Sequence, residues 1–257
     1  MKITHCVKNG NPIPFNAISD KEKPILVIDI YSELRNSYSE HQQESLHLYH
    51  LQPGHLGTHG WDLLKDLSLA GKEAEWWADT VSTALFFKSN PSPLAHEMMK
   101  YVLLFAVQTG TFANFAEIGA LLSYADIRQL VYYWHQCYAK NSSVQHLMTI
   151  VHSLPEKELE AKMKVLINRL AIFQSPLVAS TFNRSDFSLW SLKESPQQII
   201  FISPGIHDMM NSQFIFVYRF LFTALSLLAE KNNTPFFISA SEQYVQDGTL
   251  NNLFQIN

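Results

Sequence analysis

Apolar positions along the chain change rhythm twice, and each change marks a different kind of secondary structure. Near the start, Pro24-Ile-Leu-Val-Ile-Asp29-Ile30 is a continuous apolar run rich in β-branched residues, preceded by the charged turn Asp20 to Lys23. That pattern predicts a buried strand ending in an acid. Leu46 to Leu51 alternates apolar and polar positions and stops at Gln52-Pro53-Gly54, a turn signal closing a second strand. About 15 residues separate the two runs, enough for one βαβ-type crossover.

From Glu73 to about Ser175 the helical period takes over. Leu159, Met163, Leu166, Leu170 and Phe173 recur at steps of four and three and define one face of a helix over 155–173. Ser153, three residues before Glu156, has capping-box spacing, and Glu158/Lys162 and Glu160/Lys164 form i,i+4 pairs on the outer face. Less regular helices are expected near 75–88, 94–108, 114–122, 125–139 and 143–152. The tail returns to α/β patterning, with a strand over Gln198 to Ser203, a buried helix over Gln213 to Glu230 and a strand over Pro235 to Ala240. The expected fold class is α/β, a mainly parallel sheet with an inserted all-α subdomain. The corresponding segments are 1–72, 73–175 and 176–257.

Composition narrows the function classes. The 257 residues are 47% hydrophobic and 16% charged, so a sizeable core is expected. A formal net charge of -4 disfavours a polycationic nucleic-acid binder. Cys6 and Cys137 make neither a disulfide framework nor a zinc quartet, which suits a reducing, cytoplasmic setting. The N-terminus has no apolar core of a signal peptide, so the sequons at Asn141, Asn183 and Asn232 carry no meaning without a secretory route. Phe214 to Ala229 is apolar for 16 residues with Arg219 in its middle, short of the roughly 20 needed to span a bilayer, and is expected to be a core helix.

The common catalytic strings are absent: there is no P-loop, no dinucleotide-binding glycine fingerprint, no nucleophile elbow and no zinc-peptidase motif. Histidines number 11, and His47, His50, His55 and His59 crowd ahead of Trp61, where imidazoles could ligate a borderline metal. His47 and His50 differ by three within a strand, however, and so face opposite sides, and no Cys completes a set. The expectation is therefore no metal and no cofactor. Trp76, Trp77, Phe86, Phe87, Tyr132, Tyr133 and Trp134 could be stacking platforms for single-stranded nucleic acid, but with only Lys88 and Arg128 nearby they read as core. Asp29 ends a strand, where an α/β sheet carries functional acids or turn caps.

These segments, in their order, resemble the motor domain of type IV secretion coupling proteins of the VirD/TraG type. Pro24 to Leu34 is similar to the family strand that runs into D-P-K-G-E-L, with Asp29, Glu33 and Leu34 on the pattern and Ile30, Tyr31 and Ser32 in place of Pro, Lys and Gly. Leu46 to Pro53 with Gly60 to Leu64 resembles the next strand and an aromatic-N-P-L motif, and Glu75 to Asp79 the start of the inserted helices. Met163 to Trp190, Gln198 to Pro204 and Phe214 to Leu228 follow in family order. Pro235 to Glu242 stands where the family has its Walker B strand ending in Asp-Glu. The resemblance spans about residues 23 to 250 and implies a RecA-like fold.

Its departures imply a lost motor. Only 23 residues precede Pro24, which implies that the family's membrane anchor and P-loop are lacking. Ser241 replaces the Mg²⁺-holding Asp, leaving Glu242 with no metal-bound phosphate to act on. Asp29, Glu33, Ser241 and Glu242 are then vestigial nucleotide-site positions. The expected function is a non-catalytic, cytoplasmic adaptor or pseudo-ATPase that contacts subunits of a secretion or conjugation complex. It would reach the inner face of the bacterial inner membrane through that complex, with no membrane insertion of its own and with nucleic acid and oligomerisation left open. The alternatives are a nucleotide-dependent subunit that borrows a partner's P-loop, and a truncated coupling-protein fragment.

Overall fold

The computed structural model describes residues 3–6, 25–29, 47–86, 93–190, 198–232 and 236–239. The chain divides into two compact units, one made of 1–60 with 186–257 and the other of 61–185.

The first unit holds a parallel sheet of short strands: β1 (Ile3–Cys6), β2 (Ile25–Asp29), β3 (His47–Leu51), β4 (Gln198–Ile202) and β5 (Phe236–Ser239). Their spatial order is β1-β5-β2-β4-β3. Leu26, Val27 and Ile28 of β2 and Ile199 to Ile202 of β4 are at most 2% exposed, the continuous burial expected of parallel strands covered on both faces. The two strands pair Ile25 with Ile199 through to Ile28 with Ile202. The crossover expected between β2 and β3 therefore does not join neighbouring strands, because β4 lies between them.

The same unit contains a short helix, Ile206–Met210, and a long one, Ser212–Asn232. The long helix buries Val217, Tyr218, Phe220, Leu221, Phe222, Ala224, Leu225, Leu228 and Ala229. At 21 residues it is long and apolar enough to cross a membrane by length and composition, so the length argument made from the sequence does not hold. Burial of half of its most apolar window and the hydrogen bond made by Tyr218 favour the core-helix reading instead.

The second unit is entirely helical among its described residues. In chain order its helices are α1 (Leu63–Leu69), α2 (Ala74–Phe86), α3 (Pro93–Thr109), α4 (Phe115–Tyr124), α5 (Ile127–Cys137), α6 (Ser142–Ser153), α7 (Glu156–Leu170) and α8 (Pro176–Phe182). Four of them begin on a short polar side chain that accepts from an otherwise orphaned backbone N–H: Asp62 from Lys65, Asn114 from Glu117, Asp126 from Arg128 and Asn141 from Val144. Ser153 does not act as the expected cap of α7. Its hydroxyl donates back to the Ile150 carbonyl at 2.8 Å, and Pro155 takes the N-cap position without a side-chain bond.

The core of this unit is α3, which packs against α1, α2, α6 and α7 and buries Met98, Met99, Val102, Leu103 and Phe105 completely. A chain of aromatic rings runs from Trp77 through Trp61, Phe182 and Phe173 to Phe115, with successive centroids 6.4, 5.9, 5.1 and 5.0 Å apart. Trp77, Phe86 and Trp134 are core residues. Tyr132 and Tyr133 are not, at 55% and 60% exposed, because the turn of α5 that buries Val131 and Trp134 turns them outward. Phe87 lies outside the described residues.

A RecA-like, mainly parallel-sheet molecule with an inserted subdomain is not what the chain forms. Among the described residues helix far outweighs strand. The strands are only four or five residues long, and the described core of the sheet is the run β2-β4-β3. A few apolar β-branched runs are conspicuous in the sequence, but the helical period governs far more of the chain.

Trp61 also fixes α1, since its indole N–H donates to the Asp66 carboxylate at 2.7 Å with both residues at most 1% exposed. Trp61→Phe keeps an aromatic ring but withdraws a donor from a buried carboxylate. We expect it to lower unfolding stability by about 1–3 kcal/mol in urea titration.

Candidate functional site

In an open parallel sheet ligands and functional loops gather at the carboxyl ends of the strands. Here that edge carries a row of polar residues. Cys6 is level with Ser239, and Ser239 with Asp29. One step beyond the Ile28 and Ile202 pair, the register places Ser203 beside Asp29, and Gln52 continues the row from Leu51. Asp29 and Ser203 are completely buried, and the Ser203 hydroxyl has no hydrogen-bond partner.

Beyond this edge the loop after β3 folds tightly on itself. Pro53 and Gly54, the latter at φ 86°, sit at the middle of a turn closed by His55 N–H donating to Gln52 O at 3.2 Å, the residue pattern of a type II turn. Gly57 supplies a second positive φ, 77°. His59 N–H donates to His50 O at 2.8 Å, and His50 N–H donates back to His59 Nδ1 at 2.9 Å. The Gln52 N–H donates to Thr58 Oγ1, whose own hydroxyl lies 3.2 Å from His50 O. The same Nδ1 of His59 also lies 3.3 Å from His50 O.

Asp208, 4% exposed, binds this loop to the two described helices of its unit. Its carboxylate accepts from His55 Nε2 at 2.8 and 3.0 Å, from the Tyr218 hydroxyl at 3.0 Å and from the Gly205 N–H at 2.9 Å. A buried carboxylate needs such donors, and these come from the β3 loop, the β4 exit and the long helix. His55 presents Nε2–H to Asp208, which leaves Nδ1 as the free nitrogen of a ring that is 41% exposed. Chemically, the arrangement orients an imidazole and locks a loop. Burial, followed by the charge and hydrogen bond of Asp208, pushes the Tyr218 hydroxyl well above its ordinary pKa of 10.0.

The locked loop carries Leu56, 91% exposed, and the short helix carries Met210, 81% exposed. Leu56 follows His55 directly, and Met210 lies two residues after Asp208. Both apolar side chains thus flank the clamped pair in sequence.

The four histidines that crowd ahead of Trp61 in the sequence take different roles. His47 is exposed, His50 is 7% exposed, His55 is spent on Asp208 and His59 on the His50 N–H. Among the described residues no group of three or more His, Cys, Asp or Glu could hold a metal ion. Of the four positions that the resemblance assigns to a lost nucleotide site, Asp29 ends β2 as a buried residue, whereas Glu33, Ser241 and Glu242 lie outside the described residues. Asp208 and Tyr218 were missed by sequence reasoning. The one local signal was Gly205 three residues before Asp208, a spacing at which an acid reaches back to a helix-start N–H.

In the helical unit, Glu75 and Asp79 of α2 meet Lys100 of α3, with Nζ 2.9 Å from Glu75. Burial draws the Lys100 pKa down, but the hydrogen bond and charge of Glu75 and the charge of Asp79 leave it raised. This cluster joins two helices and opens onto no described cavity. In comparisons with models of known protein families and with curated proteins, the chain matches none.

Two measurements follow from the clamp. Tyr218 has a raised folded-state pKa, so its contribution is fully present below about pH 10 and drains away as pH climbs through and beyond that value. The melting temperature of the wild type should therefore fall more steeply above about pH 10 than that of Tyr218→Phe, and parallel profiles would remove the assignment. Gly54 is held at positive φ, and a Cβ there would run into the Phe214 ring. Gly54→Ala should destabilise by more than about 1 kcal/mol, read as a lower denaturant midpoint.

Proposed function

We propose that the chain is a non-catalytic component that works through protein–protein contacts, serving as an adaptor in a type IV secretion or conjugation apparatus on the cytoplasmic side of the inner membrane. The observation that carries this reading is the pair Leu56 and Met210, exposed on backbone that Asp208 and the β3 loop hold in one conformation. Large apolar side chains in water lose free energy, and a partner that covers them recovers it. Because the loop is already ordered, binding does not have to spend conformational entropy there. The secretion setting rests on the ordered likeness of the sequence segments to coupling proteins.

A second reading is supported by the polar row at the carboxyl edge. A nucleotide-dependent subunit whose phosphate cradle comes from a partner would use Asp29 and the buried, unpartnered Ser203 hydroxyl at that edge.

One experiment separates the two. In a transfer assay complemented with this chain, Leu56→Glu combined with Met210→Glu should lower transfer about tenfold or more while the melting temperature stays at the wild-type value. Calorimetric titration of the chain with Mg-ATP should give no binding heat. Wild-type transfer by the double variant sinks the contact reading, and micromolar Mg-ATP binding moves the assignment to the nucleotide-dependent one.

A further inference from the structure

The helical unit contains a groove, separate from the Leu56 loop, where α7 lies along the junction of α4 and α5. Its volume is about 370 Å³, and its apolar floor is formed by Leu122, Ile127, Leu159, Met163 and Ile167. The first four of these are buried. Pockets of roughly 300 Å³ and above that combine an apolar floor with a few placed polar groups have the usual form of a binding site.

The polar groups at the groove define the occupant. Arg128 lines it and donates from Nη2 to the Leu154 carbonyl at 2.6 Å, which pins the guanidinium. Its Nε–H is buried and has no acceptor. The rest of the lining is charged: Asp126, Glu156 and Glu160 are acidic, and Lys164 is basic. Donating to a neutral carbonyl leaves the Arg128 charge in place, so three carboxylates stand against two cations and the lining is acidic by one charge, with Glu156 and Glu160 on its exposed side. A ligand carboxylate would be repelled there, and a cation would be attracted.

We propose that this groove binds a segment of a partner polypeptide that carries an apolar side chain next to a lysine or arginine. The apolar side chain fills the floor, and the basic side chain pairs with Glu156 and Glu160. These glutamates are one turn apart on the exposed side of α7, so they can flank a single cation. The site would be a second contact surface and does not depend on Leu56 or Met210.

The test uses the full chain and two blocked peptides, one alternating leucine and lysine and the other alternating leucine and glutamate. Binding is read by fluorescence polarisation and by methyl NMR of Met163, Leu122 and Leu159. The expected result is that only the lysine peptide binds, that these methyl resonances shift, and that Glu156→Lys with Glu160→Lys weakens it about tenfold. Both substituted positions are exposed, so the variant should melt with the wild type; a matching melting curve establishes that weakened binding reflects the groove. No binding of the lysine peptide, equal binding of the two peptides, methyl shifts confined to other residues, or unchanged affinity in the charge-reversed variant would each overturn the proposal.

Discussion

A carboxylate shut away from water must be surrounded by donors, and Asp208 meets that requirement by drawing on three separate pieces of chain. The β3 loop contributes an imidazole, the exit of β4 a backbone N–H, and the long helix a phenol. Removing any one donor leaves the others serving a poorly satisfied charge, so these pieces are ordered together. The internal hydrogen bonds of the loop between His50 and His59 complete the constraint. Leu56 is exposed on this rigid support, unlike a surface leucine on an unconstrained loop.

The helical unit is organised by packing and not by charge. Its central helix is apolar around much of its circumference, as a helix surrounded by others must be. The linked rings from Trp77 to Phe115 fill the space between the start and end of the unit's sequence. Asp66 is a buried carboxylate within this packing, and the direct hydrogen bond from Trp61 offsets the cost of hiding it. At the edge of this packed body, Arg128 keeps a buried donor unanswered.

Helices were legible where the period was regular. Leu159, Met163, Leu166 and Leu170 face inward as their spacing requires. The β2 and β4 runs could be read from four successive apolar residues, but the order of strands could not, since register depends on contacts between segments far apart in sequence. The weight of the sheet in the whole fold was overestimated for a related reason: short β-branched runs stand out locally, and helical content is a property of the sum. The opposite facing of His47 and His50 followed from strand geometry alone. Asp208 and Tyr218 did not, because an acid and a phenol ten residues apart, with a histidine 153 positions away, leave no periodic trace. Arg128 was noticed only as a cation near aromatics, and its buried nitrogen is a consequence of tertiary packing.

The strand order has a consequence for how the chain is made. Residues 198–202 lie between the strands at 25–29 and 47–51, and residues 236–239 lie between those at 3–6 and 25–29. During synthesis the three early strands therefore have no neighbours in the sheet until the late ones emerge, while the intervening 61–185 can collapse on its own. Apolar strand edges must wait through the translation of more than half the chain, and this favours a route in which the helical unit folds first and the sheet closes after residue 239 has left the ribosome.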